Sequence, residues 1–69
     1  MTLDDYCKQL GWDTTELSRQ ARISYNTAKK ALDGGSIQPG VARAIAQALR
    51  EALGQNINVG DIKGLNVSY

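Results

Sequence analysis

Leu3, Tyr6, Cys7 and Leu10 stand at i, i+3, i+4 and i+7, with polar residues filling the positions between them. That spacing puts the four on one face of a helix, and it predicts a helix over Leu3–Leu10. Thr2 with Asp5 three residues on forms a capping pair, and Asp4 and Asp5 suit the positive end of the helix dipole. Gly11 supplies the stop. Asp13 with Glu16 repeats the cap ahead of a second helix, Thr14–Ala21, which turns Leu17 and Ala21 inward. After a short Arg22-Ile23 connection, Ser24 caps a third helix from Tyr25 to about Leu32, with Ala28, Ala31 and Leu32 facing inward. The paired Gly34-Gly35 makes Asp33–Ser36 a turn or loop, because glycine inside a helix loses about 0.5–1 kcal/mol relative to alanine.

Pro39 fits the first position of a fourth helix, where a missing N–H costs nothing, and that helix runs to Leu53 before Gly54. Its core face reads Val41, Ala42, Ile45, Leu49, Ala52 and Leu53. Asn58 with Asp61 caps a short fifth helix that presents Ile62 and Leu65, and Asn66–Tyr69 is left as a frayed or extended tail. No segment alternates with the period of two that a half-buried strand requires. The expectation is an all-α fold, a compact bundle of five helices in a single domain, residues 1–69.

Charge distribution sharpens this picture, although the net charge of +1 argues for nothing. Asp4, Asp5, Asp13 and Glu16 against Lys8 give residues 1–16 a net of −3. Arg19, Arg22, Lys29, Lys30, Arg43 and Arg50 against Asp33 give residues 17–50 a net of +5. Glu51 and Asp61 against Lys63 leave residues 51–69 at −1. A basic block between acidic ends points to a polyanion-facing surface, with a solvated charged surface as the plainer account.

Composition excludes more than it assigns. With 69 residues, no His and a single Cys, the chain holds no metal cluster, no nucleophile–base pair and no phosphate-cradling loop, so no catalytic residue, metal site or cofactor is expected. A chain this short buries about 60% of its unfolded surface, which argues against a deep enzyme cleft. The lone Cys7 forbids an internal disulfide, and no apolar run nears the ~18 residues of a membrane span. A cytoplasmic location without membrane contact is the expectation.

The informative stretch is Thr14–Gly34, TTELSRQARISYNTAKKALDG. Two short helices joined by a tight turn set the second across the first, and a protruding second helix fits the DNA major groove. The inward residues Ala21, Ala28 and Ala31 are small enough for close approach, and the outer side of the third helix is polar and basic at its beginning. From Leu10-Gly11 to Leu65 the chain resembles the Cro/repressor helix-turn-helix family, whose fold is lambda-repressor-like. The matching residues are Leu17-Ser18, Ala21, Ile23-Ser24, Thr27-Ala28, Gly34, then Pro39 with Val41–Leu49, and Asp61-Ile62 to Leu65. The chain departs from that pattern at Arg22, where the family usually has a Gly because the turn needs positive φ. It departs again at Ser18, usually Ala, and at Ala31-Leu32.

The resemblance places a helix-turn-helix at about residues 14–33 and implies sequence-specific double-stranded DNA binding by a bacterial or phage transcriptional regulator, a repressor above all. It puts Tyr25, Asn26 and Lys30 at base-reading positions. Asn bonds adenine N6/N7, Lys reaches guanine O6/N7, and Tyr offers a hydroxyl or a ring face to a thymine methyl. Tyr25 could instead cover the helix pair. Lys29 faces the same side, for a base or a phosphate. Thr14 and Thr27 lie near helix N-termini, where hydroxyls and free N–H groups clamp phosphate. Arg19, Ser36 and Gln38 complete the phosphate candidates, and Arg50 lies outside the DNA surface.

Two other functions compete. One is an antitoxin of a toxin–antitoxin pair, and the other a helical protein-interaction module whose basic face binds an acidic protein. A single module covers only about 600–1,000 Å² of DNA-facing surface, so a homodimer reading two half-sites is expected. Its interface would use Ile57, Val59, Ile62, Leu65, Val67 and Tyr69.

Overall fold

A computed structural model describes residues 1–68 of the chain. Four α-helices, α1 (Leu3–Leu10), α2 (Thr14–Ala21), α3 (Tyr25–Leu32) and α4 (Pro39–Leu53), make up most of it, with the bounds that caps and stops predict. The capping atoms are in place. The Thr2 hydroxyl accepts from the Asp5 N–H at 3.1 Å while an Asp5 carboxylate oxygen accepts from the Thr2 N–H at 3.0 Å. The Asp13 carboxylate accepts from the Glu16 N–H at 2.8 Å, and the Ser24 hydroxyl accepts from the Thr27 N–H at 3.2 Å. No helix among the described residues is long and apolar enough to cross a membrane.

α2 packs on α3 and α4, and α1 packs on the same two helices. Leu17, Ile45 and Leu49, all at 0% exposure, are the large residues at the centre, each worth about 1.5–3 kcal/mol when fully buried. Around them Ala21, Ala28, Ala31, Ala42, Ala46 and Ala48 are buried, and these small side chains let the helix axes approach closely. The predicted core face of α4 needs adjustment: Ala46 and Ala48 are buried, whereas Ala52 is exposed in the final turn. Ser18 is buried beside the core without an unmet polar group, because its hydroxyl donates to the Thr15 carbonyl at 2.6 Å.

Three helices end alike. Trp12 N–H donates to the Cys7 carbonyl, Ile23 N–H to Ser18, and Gly35 N–H to Lys30, at 2.8, 2.9 and 2.8 Å. Each closing bond is accompanied by a left-handed residue: Gly11 at φ 72°, Arg22 at φ 58° and Gly34 at φ 83°. This is the Schellman arrangement, in which the left-handed residue turns the chain back over the last helical carbonyls. Arg22 occupies a seat that glycine fills at the other two ends.

The expected fifth helix does not form. Asn58 and Asp61 do cap, with the Asn58 N–H donating to the Asp61 carboxylate at 2.9 Å, but only a 3₁₀ turn over Val59–Asp61 follows. Ile62 is extended at φ −94°, ψ 101°. Lys63 donates its N–H to the Met1 carbonyl at 3.0 Å, and Thr2 and Lys63 form an isolated parallel bridge. Gly60 and Gly64 each weaken a helix by about 1 kcal/mol, and so short a segment cannot offset helix nucleation. Pairing with the N-terminus satisfies this backbone instead.

The purely α-helical expectation is also corrected. Ser36–Ile37 (β1) and Asn66–Val67 (β2) form a two-stranded parallel sheet with Ser36 opposite Asn66 and Ile37 opposite Val67. Ser68 N–H adds a bond to the Ile37 carbonyl at 2.8 Å. Residues 66–68 are therefore tied down rather than frayed, and Ser36 belongs to a strand rather than a loop. Ile37, Ile57 and Ile62, at 4%, 3% and 3% exposure, close the core beneath this sheet. Val59, Leu65 and Val67 pack partly buried against it. Ile57 and Ile62 are thus used up inside one chain and have no surface left for a dimer contact. Tyr69, the last residue assigned to that contact, lies outside the described residues.

Candidate nucleic-acid interface

α3 is eight residues long and anchored on one side only. Ala28 and Ala31 are buried, with Thr27 and Leu32 partly so. At ~100° per residue, Tyr25, Lys29, Asn26 and Lys30 follow one another around the opposite side within an arc of about 140°. All four are exposed, Tyr25 at 51%. About half of the Tyr25 surface is open to solvent. The four base-reading candidates come together as one continuous surface of a phenol, a carboxamide and two ammonium groups.

Lys30 is further defined by its neighbour Gly35. A Cβ on Gly35 would lie 2.5 Å from the Lys30 Cγ and 3.1 Å from the Lys30 carbonyl oxygen. The stem of Lys30 thus runs along the Gly35 backbone at the end of α3 while the side chain stays exposed. Gly35 serves here through its missing side chain, a role that the sequence signals only as half of a glycine pair.

The phosphate candidates are scattered over several element starts. Thr14 begins α2 and Thr27 lies in the first turn of α3, both partly buried. The Thr27 hydroxyl is 2.7 Å from the Ser24 hydroxyl, so the pair shares one hydrogen bond and keeps spare capacity. Ser36 is exposed on β1. Gln38 is exposed at the N-cap of α4 without a side-chain capping bond. Pro39 has no N–H, which leaves the Gly40 and Val41 amides as the free donors of that turn, since Ala42 already donates to the Gln38 carbonyl at 3.1 Å.

Arg19 is not gathered with the α3 face. Its guanidinium bonds Glu16 at 3.2 Å, and it borders a groove between α2 and α4 that no α3 residue lines. Arg22 lines the same groove with Ala44, Gln47, Ala48 and Glu51. Arg43 and Arg50 line a neighbouring cleft on the far side of Gln47, together with Asn58 and Val59. Within residues 17–50 the basic residues are therefore divided: Lys29 and Lys30 on α3, the four arginines around α4. This division was not visible as a charge count along the chain.

Cys7 is buried in the core of α1, and burial, followed by the charge of Asp4, pushes its thiol up to about 11, so it is protonated at neutral pH. Among the described residues no group of three or more His, Cys, Asp or Glu side chains is placed to hold a metal ion. Comparison with protein-family models, with curated proteins and with solved structures gives no match.

Proposed function

We propose that this chain is a sequence-specific double-stranded DNA-binding domain, a transcriptional regulator of the repressor kind. In this reading α2 and α3 act as a helix-turn-helix with α3 in the major groove. The observation that supports it is the outer face of α3, where Tyr25, Asn26, Lys29 and Lys30 are all exposed on a helix pinned from behind by Ala28 and Ala31. Asn26 pairs with adenine N6/N7, and Lys30 donates to guanine O6/N7. Tyr25 contributes a hydroxyl or an apolar ring face at the helix start, and Lys29 neutralises a phosphate or reads a base. Thr14, Thr27, Ser36 and Gln38, with the free amides of the α4 N-terminus, hold the flanking phosphates and set the register. Arg19, which borders the groove between α2 and α4, is not among the residues gathered on the α3 face.

The test is duplex selection from a random library, followed by fluorescence anisotropy on the selected duplex and a scrambled one across a salt series. A preference for the selected duplex is expected, with affinity falling linearly in the logarithm of salt concentration. Equal binding of both duplexes, or no dependence on salt, rejects the reading. The alternative of a helical protein-interaction module would show itself as that failure.

A further inference from the structure

Of the seven glycines, only Gly35 has its missing side chain in use. Gly11, Gly34, Gly54 and Gly64 take a positive φ, which by itself calls for glycine. Gly40 and Gly60 lack that φ, and a Cβ on either would meet open space. Gly35 lacks it as well, yet a Cβ there would stand 2.5 Å from the Lys30 Cγ, 3.3 Å from its Cε and 3.1 Å from its carbonyl oxygen. Backbone conformation alone does not call for glycine at 35; the Lys30 stem does.

The seat is held by the backbone as well. The left-handed Gly34 turns the chain back over the end of α3, and the Gly35 N–H donates to the Lys30 carbonyl at 2.8 Å. Hydrogen bond and close packing therefore fall on the same residue. Among the described residues the ion pairs are Lys8–Asp4 and Arg19–Glu16, so no carboxylate holds the Lys30 ammonium. What defines this side chain is contact along its stem, with the residue itself left exposed. No glycine position lies as close to Lys29, its neighbour on α3.

We propose that Gly35 is a positioning residue that determines base specificity through Lys30. This rests on the DNA-binding reading and deepens it. A free lysine sweeps its ammonium on a flexible four-carbon stem, and ordering that stem on contact costs binding energy. A stem already laid along the Gly35 backbone has part of this ordering done before DNA arrives. The ammonium is then offered to one base pair rather than to whichever acceptor lies nearest. Asn26 is about 6 Å away along the helix, against ~3.4 Å per base pair, so the two side chains read different base pairs. Gly35 accordingly governs selection at the Lys30 base pair and not at the Asn26 one.

Two measurements test this, the first without DNA. Carbon-13 relaxation of the Lys30 methylenes in the free protein should show a restrained stem in the wild type and a mobile one in Gly35→Ala. The same motion in both overturns the proposal, whatever the protein binds. The second compares wild type, Gly35→Ala, Lys30→Ala and the double variant on a selected duplex in which each base pair is replaced in turn. Gly35→Ala should lower the penalty by roughly fivefold or more at the base pair that Lys30→Ala affects. The penalty that Asn26→Ala abolishes should persist, and with Lys30→Ala in place the glycine change should add less than about twofold. Penalties lowered evenly at every base pair would mean general damage to α3, and additive effects would mean that the two positions act separately. Either result overturns the proposal and leaves the DNA-binding reading intact. If no duplex is selected at all, that reading fails, and the specificity role of Gly35 fails with it.

Discussion

Arg22 is the one described non-glycine residue with positive φ, and it closes α2 in the same way that Gly11 closes α1. Replacing it with Gly removes a Cβ–carbonyl clash but loosens the unfolded chain, so the two effects partly cancel. Arg22→Gly should stabilise the domain by roughly 0.5–1 kcal/mol, read as a shifted urea midpoint, and Arg22→Val should destabilise it. Cys7 makes a second residue-level prediction. Its thiol ionises at about 11 in the folded chain against an ordinary value of 9.0, chiefly because burial penalises the thiolate. The folded state therefore holds the proton more tightly, and the stability linked to it is complete below pH 9 and is lost as pH rises toward 11. Thermal melts between pH 9 and 11 should fall more steeply for the wild type than for Cys7→Ala; identical slopes would show that Cys7 does not contribute.

At the scale of elements, α3 is short, and its hold on the rest of the domain comes from two buried alanines and a serine cap rather than from its own length. That economy is what leaves one whole side of the helix free. Asn26→Ala and Lys30→Ala should each weaken binding to a selected duplex by about 1–3 kcal/mol and narrow the gap to scrambled DNA. Gly35→Ala should act in the same direction as Lys30→Ala, because the added methyl displaces the lysine stem. Anisotropy on the two duplexes distinguishes loss of selectivity from a uniform loss of affinity. Arg19→Ala is the control and should leave selectivity unchanged.

For the whole molecule, the C-terminal segment is the closing piece. It joins Lys63 to the N-terminus and residues 66–68 to the α3–α4 connection. The Ser68 amide, bonded to the Ile37 carbonyl, should exchange with deuterium far more slowly than in an unstructured tail. Truncation after Leu65 removes the sheet and uncovers Ile37; a loss of about 2 kcal/mol in unfolding free energy is expected from the missing hydrogen bonds and the exposed side chain. The same closure changes the dimer question. With Ile57 and Ile62 buried within the chain, the DNA-binding proposal expects two copies on a palindromic site to be held mainly by DNA, so sedimentation should show monomers in solution and two protomers per palindrome. One protomer per palindrome would remove the homodimer from the functional reading.

The sequence by itself determined the four α-helices, because each carries its own start, stripe and stop within a dozen or so residues: Thr2 to Gly11, Asp13 to Arg22, Ser24 to Gly34, Pro39 to Gly54. The left-handed turn at residue 22 was legible through the resemblance, and the outer face of α3 through the 3.6-residue period. What depended on distant partners was not legible. Two-residue strands have no period to read, and whether Asn66–Val67 pairs or frays depends on Ser36–Ile37, thirty residues away. The Asn58–Asp61 cap is a local signal that the chain obeys, yet beyond it the backbone pairs with the N-terminal residues, Lys63 with the Met1 carbonyl, which no local signal announces. The gathering of all four arginines around α4 likewise arose only when α2 was packed against that helix, since residues 19 and 43 share no local spacing. Local hydrogen bonding and periodicity are written along the chain; pairing between its ends is settled by which backbone segments the packed helices bring side by side.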